Sequence, residues 1–457
     1  MTLMIWAWMM TLMMTTKTFN SVLSTGKNKQ VKKCIAFPVD DFNIFKIQML
    51  NWVNQFNIFC LLDNRHYDFN KPAFECLLAA GAKTNVEVSA GKAFEVLRHF
   101  YAENKNEWLF GHFSYDLKNE TENLQSNHTD GIGFGDLHFF VPEIVIELTD
   151  KEVKIFCDED ADVIYRQIIS KSNEIKEQVK TVAVVKNKID KVNYISIIEK
   201  LKQHILRGDC YEINFCQEFF ATHAHIDPLY IYSRLTELSP NPFSVFYKLN
   251  TRYCLCASPE RYLNKEGNRI ISQPIKGTSK RNAANAAEDE KEKNYLSESE
   301  KEKSENVMVV DLVRNDLSRI CKAGSVQVDE LFAVYSFPQV HQMISTVSGE
   351  IEKGKDWIDC IEATFPMGSM TGAPKKKVME LIEQYEQTKR GLFSGAIGYI
   401  KPGGNFDFNV VIRSILYNAT EKYLSFQAGG GITYNSDPAL EYEESLLKVK
   451  AMMKVLS

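Results

Sequence analysis

The chain has 457 residues, 44% hydrophobic and 25% charged, with 54 basic against 59 acidic side chains and a formal charge of −5. That balance suits a soluble protein of two or three domains, or one large interleaved one. With no basic arm or stripe to meet phosphates, no nucleic-acid partner is expected.

Met1 to Met14 reads MTLMIWAWMMTLMM. This apolar run is too short to span a bilayer. It has neither a basic lead nor a small-residue cleavage site, so residues 1–14 read as an N-terminal extension rather than a secretory signal. No membrane association is expected. The ten cysteines are scattered and lack the paired spacing of a zinc site; they read as reduced core thiols of a cytoplasmic protein.

A first region, 15–185, alternates β-like runs (IFCLLD, WLFGHFSYDL, DLHFFVPEIVIEL) with helical patterns such as Ala90 to Glu103. The charged stretch Asp158 to Lys188 predicts a long helix followed by a connection. A second region, 190–457, alternates strands, helices and Gly-rich turns. The Lys/Glu-rich segment Glu288 to Glu305 reads as a solvated helix face with i,i+4 ion pairs. It turns apolar at Val307 to Val313, where a helix enters the core with Glu302 and Glu305 one turn apart on one face.

Four segments of the second region carry chemistry. Ser258-Pro-Glu260 is followed sixteen residues later by Lys276, within Pro274-Ile-Lys-Gly-Thr278. A lysine so placed is poorly suited to a solvated face. It is either a structural partner in a buried ion pair or, with its pKa depressed, a neutral amine able to attack carbon. Glu305 leads into Asp311-Leu-Val-Arg314-Asn315-Asp316. Glu441, Glu444 and Lys448, at i, i+3 and i+7, share one helix face. Two helices offering carboxylates to one cleft suit Mg2+, while a surface salt bridge explains the same spacing. Last come the turns Met367-Gly-Ser369-Met-Thr371-Gly and Ala428-Gly-Gly430-Gly431, with Gly398-Tyr399 and Arg413. Such turns expose amides to an anion, and an arginine can clamp a carboxylate. No nucleotide-binding glycine motif is present.

In this order the segments resemble the chorismate-utilising enzymes: anthranilate synthase component I, aminodeoxychorismate synthase component I, and the isochorismate and salicylate synthases. The resemblance spans Val192 to Val455 and includes MVVDLVRNDLSRI and GSMTGAPKKKVMELIE. It extends more weakly through Phe59 to Asn64 and Phe110 to Asp116. It implies an α+β, four-layer αββα fold: two stacked antiparallel sheets with outer helices and interleaved halves. It also implies Mg2+ held by Glu305 and Glu444, with Glu302 and Glu441 adjoining. Arg413, Tyr399, Gly430, Gly431 and Lys448 would hold chorismate, and Thr278 and Ser369 would form a polar wall. Glu260 would be the general acid.

The PIKGT form resembles the aminodeoxychorismate synthase branch, with Lys276 as nucleophile; anthranilate synthases carry alanine there. That branch implies a product on the route to para-aminobenzoate and folate, and a glutamine amidotransferase subunit supplying ammonia. The water-adding relatives have a lysine base at the position of Glu212, and the amine-adding ones usually glutamine, so Glu212 is a departure. Gln342, with His341 beside it, aligns with the histidine associated with pyruvate elimination. Leu61-Leu62-Asp63-Asn64 stands where relatives carry the motif of a tryptophan feedback pocket. Anthranilate synthase, or a silent tryptophan- or chorismate-binding regulator, is the competing reading.

Overall fold

Alternating apolar runs build two antiparallel sheets. The computed structural model describes residues 33–67, 74–282, 284–337 and 340–457; the apolar extension 1–14 lies outside them. Among the described residues one sheet has twelve strands and the other ten. The first sheet runs from Lys33–Pro38 through Ile58–Asp63, Phe243–Leu249 and Arg252–Ser258 to Ser414–Asn418, Tyr423–Ile432 and Glu212–Ala221. The second runs from Ile275–Lys280 and Val340–Glu350 through Arg261–Glu266, Phe406–Asn409 and Ala396–Ile400 to Leu109–Phe113 and Thr84–Val88.

Each sheet therefore takes strands from both ends of the chain. The run DLHFFVPEIVIEL splits between them: Leu137–Val141 joins the second sheet and Ile144–Leu148 the first. A large core packs between the sheets, with Phe110, Phe113 and Phe139 against Val245, Cys254 and Cys256. A second core lies under the helices of the first sheet and includes Trp52, Tyr232 and Met452. This is the expected pair of stacked antiparallel sheets flanked by helices. All ten cysteines are free, and all but Cys34 are buried.

The long helix expected over Asp158 to Lys188 is instead the short Ala161–Ile169. Side chains from a neighbouring helix end it: Gln48 donates to the Ile169 carbonyl at 3.0 Å, and Asn51 to the Ser172 carbonyl at 2.9 Å. Charge pattern alone could not reveal those long-range caps. The Lys/Glu-rich segment is two helices, Ala286–Glu298 and Glu300–Ser318, divided at Ser299, whose hydroxyl accepts the Glu302 amide and caps the second. The C-terminal helix Pro438–Val455 starts at Asp437, whose carboxylate accepts the Ala439 and Leu440 amides. This cap, with Pro438 in the first turn, sets the phase that turns Glu441, Glu444 and Lys448 toward strand Tyr423–Ile432.

Candidate active site

The cleft lies where the ends of the two sheets meet, and residues after 185 build it. Strand Ile275–Lys280 at the edge of the second sheet brings Lys276. Strand Glu212–Ala221 near the edge of the first brings Glu212. The Lys276 ammonium donates to Glu212 Oε1 at 2.6 Å, with side-chain exposures of 11% and 3%. Gly431, on the strand beside Glu212, faces this pair. A β-carbon there would fall 2.6 Å from Lys276 Nζ and into Glu212 Oε1, so any larger residue would push the ion pair aside.

The neighbouring Gly430 faces the C-terminal helix, where an added β-carbon would meet Glu441 Oε2 at 3.0 Å, Lys448 Nζ at 3.6 Å and Glu444 Oε1 at 3.7 Å. Lys448 donates to the Gly429 carbonyl and pairs with Glu444, each at 2.7 Å. The helix Glu300–Ser318 closes the other side: Glu302 reaches Gly277, beside Lys276.

Charge in the cleft is predominantly negative. Burial pushes the Glu305 carboxyl up to about 7; Lys276 opposes this, and Glu212 and Glu302 add to it. Burial and then Glu444 raise Glu302, while burial with the same neighbour raises Glu441. Burial would raise Glu444 too, but Lys448 holds it below the usual range. Glu260 is buried beside the Ile275 amide, and burial lifts it to about 7 against the pull of Ser369 and Lys276.

Lys276 departs from expectation. Burial, its largest single influence, would depress its pKa. Glu212, Glu305 and Glu260 together outweigh burial and raise it. The expected neutral amine is therefore a protonated one in this state.

Most of the expected site residues converge, and Tyr399 does not. It sits five strand positions from Lys276 in the second sheet, roughly 24 Å away at about 4.8 Å per strand. There it packs against Phe74, Trp108 and Phe110. Thr278 is exposed, on the same strand as Lys276 and opposite Gln342. His341 turns the other way, to Asp289 and Ser336. Arg413 is half-buried next to the strand carrying Ser258. Its backbone is held at φ 51° and its carbonyl accepts the Ala257 amide. Burial lowers its pKa, and its guanidinium makes no hydrogen bond or ion pair among the described residues.

Ser369 is buried on the short turn Gly368–Met370. That turn is clamped by residues the motifs did not single out. Asn214 donates to the Ser369 carbonyl at 3.0 Å, and the buried Arg390 to the Met370 carbonyl at 2.7 Å and the Asn214 carbonyl at 2.8 Å. The one sequence signal for this clamp is Glu386 four residues before Arg390, and the two are paired at 2.6 Å.

Among the described residues three buried acceptors of the site have no hydrogen-bond partner: Glu212 Oε2, Glu305 Oε1 and Gln342 Oε1. Such a set suits a cation or a donor-bearing ligand. Hard carboxylate oxygens at Glu302, Glu305, Glu441 and Glu444 fit Mg2+, which binds through one or two carboxylates and keeps several waters. Their oxygens are more widely spaced than a compact ligand set. The one group of three ligand atoms within 4.8 Å of one another among the described residues is the partly exposed His66, Glu75 and Asp150.

Residues 58–454 match the family model described as chorismate binding enzyme. Aminodeoxychorismate synthase component 1 of Bacillus subtilis is 33% identical over 363 residues, 76% of this chain and 76% of that protein. Anthranilate synthase component 1 of Aquifex aeolicus is 33% identical over 371 residues, 76% of this chain and 74% of that one. Among solved structures, anthranilate synthase component I from Streptococcus pneumoniae aligns with a TM-score of 0.70 at 27% identity, covering 82% of this chain and 91% of that one. The menaquinone-specific isochorismate synthase from Escherichia coli, at 16% identity and a TM-score of 0.73, shares the fold.

Proposed function

The chain belongs to the chorismate binding enzymes, as a synthase of the anthranilate and aminodeoxychorismate synthase family, and within it we propose that it aminates chorismate at C4, giving 4-amino-4-deoxychorismate. The observation that carries this choice is Lys276, a buried amine in the cleft with a carboxyl acid, Glu260, nearby.

The C4 hydroxyl leaves once protonated, and Glu260, held near neutrality at about 7, is suited to give that proton. Lys276 attacks C2, the ring double bonds shift and water departs. Ammonia then adds at C4 and the lysine is released. Two easier displacements replace one difficult one. Arg413, half-buried and without an ion pair among the described residues, would take a carboxylate of the substrate. Glu305 and Glu444 would hold Mg2+, with Glu302 and Glu441 adjoining; when bound, the ion neutralises the cleft's acidic wall and steadies charge near the ring. Ammonia would come from a glutamine amidotransferase subunit.

The test is mass spectrometry of products from chorismate, Mg2+ and ammonium at alkaline pH, then from glutamine with and without such a subunit. The expected product is 4-amino-4-deoxychorismate, with glutamine used when the subunit is added. Anthranilate as the main product would make the chain an anthranilate synthase. Glutamine use by the purified chain alone would remove the partner.

A further inference from the structure

Lys276 enters the cleft as a cation, and an ammonium has no lone pair with which to attack carbon. Its proton must go to a group already in contact with Nζ. Among the described residues the one ion pair Lys276 makes is with Glu212, at 2.6 Å. Glu305 and Glu260 influence it through space, and Glu302 and Glu444 feel its charge in turn, without an ion pair to it. Glu212 is 2% exposed, so no water competes freely for its carboxylate. Its second oxygen is buried without a partner. The Lys276 ammonium is thus the one side-chain contact of this carboxylate among the described residues, and the route for a proton off Nζ leads directly to it.

We propose that Glu212 is a further catalytic residue, which takes a proton from Lys276 Nζ as the amine attacks chorismate and returns it when the amine departs. This rests on the covalent role given to Lys276 above. In the forward step the ammonium and carboxylate become amine and carboxylic acid. The amine lone pair forms the C2–N bond while the C4–O bond breaks, and Glu260 supplies the proton that makes the leaving group water. Ammonia then adds at C4 as the C2–N bond breaks, the new C4 ammonium gives its extra proton back to Glu260, and the free amine recovers its own proton from Glu212. Both partners end as they began. Two chemically distinct carboxyls thus serve one turnover, Glu260 toward the substrate oxygen and Glu212 toward the enzyme's own nitrogen. A glutamine at this position could hydrogen-bond the lysine but could not take its proton.

The experiment is single-turnover intact-protein mass spectrometry of the full chain with chorismate and Mg2+ but no ammonia, quenched over time between pH 6.5 and 9. Wild type should accumulate a chorismate-derived adduct on Lys276. Glu212→Gln should form it at least tenfold more slowly at pH 7. Its rate should climb about tenfold per pH unit as the lysine must lose its proton to solvent instead. Glu212→Asp, which keeps a base, should retain the adduct with a flatter pH profile, and melting curves of both variants report whether they fold. An adduct formed by a folded Glu212→Gln at the wild-type rate overturns the role of Glu212 alone. No adduct in wild type at any pH overturns the covalent reading and this role with it.

Discussion

The molecule encloses two polar regions at different places between and beside its sheets, and they are built on opposite terms. A cavity of about 710 Å3 between the sheets is lined by Leu62, Asp63, Asn64, Arg261, Tyr399 and Asp407 among others. Its principal charges are paired within the protein. Arg261 forks onto Asp407 at 3.0 and 2.9 Å and donates to Gln273 at 2.7 Å, while Lys46 holds Asp63 at 2.6 Å. The cleft has crowded carboxylates, two of them lifted to about 7, and, among the described residues, an arginine without an ion pair and three buried acceptors without partners. Charges already neutralised by neighbours stabilise a scaffold; those left uncompensated are stabilised by what binds. On that ground the proposed chemistry falls to the cleft rather than to the roomier cavity.

The sharpest break between the regions should appear in catalysis. Glu260→Gln removes the proton that the leaving hydroxyl needs, so kcat should fall by roughly 10²- to 10⁴-fold, the usual worth of a general acid. Wild-type kcat should decline as pH rises through about 7, where Glu260 loses its proton. A variant within threefold of wild type would return Glu260 to the wall of the pocket.

The converse test is Asp407→Asn in the cavity. It leaves Arg261 without its charge partner in a nearly buried setting, where breaking such a pair costs about 3 kcal/mol. Urea denaturation should show that loss while kcat stays within a few-fold of wild type. Lost turnover at unchanged stability would mean that the cavity is coupled to catalysis.

A smaller effect is expected at the metal. Glu444→Gln should raise the Mg2+ concentration needed for half-maximal activity by roughly tenfold or more with little loss of fold, since ligand-set changes commonly cost that much. An unchanged requirement would leave Glu444 as a structural partner of Lys448, to which it is bonded at 2.7 Å.

How much of this was legible in the sequence follows from what sequence patterns record. The alternation of IFCLLD and its fellows, with the motifs from Val192 to Val455, was enough for two stacked sheets and for placing Glu260, Lys276, Glu305 and the glycine turns in one site. The state of Lys276 was not, because its partner Glu212 lies 64 residues away on the other sheet. Tyr399 was misplaced for a similar reason. Its adjacency to Gly398 identifies a motif, but strand order and pleat put its ring, with Ile397, on the cavity wall. The clamp of Arg390 on the Ser369 turn was invisible because it works through backbone carbonyls, which carry no residue identity.

The last contrast between cleft and cavity is one of stability against pH, and its sign can be worked out. Glu260 and Glu305 have folded pKa values of about 7 against an ordinary 4.5, both from burial. Their protonated forms are favoured by folding, so the stabilisation is complete below about 4.5 and is lost as pH rises through 7. Two buried histidines act oppositely lower down. Burial drops His112 to about 4 and His138 to about 2, from 6.5, so they add stability as pH rises to about 6.5 and nothing thereafter. The clean window is therefore pH 6.5 to 8, where the carboxyls of the cleft are still giving up protons and these histidines have finished. In that window the melting temperature of metal-free protein should fall with pH. Glu305→Gln, which cannot ionise, should flatten the slope, and saturating Mg2+ should flatten it in wild type by favouring the carboxylate. The Glu305 contribution to the difference between variant and wild type should vanish only below about pH 4.5, where the carboxyl is protonated in both folded and unfolded states. If the slopes of wild type and Glu305→Gln are parallel from pH 6.5 to 8, Glu305 is not the acid that burial raises to about 7.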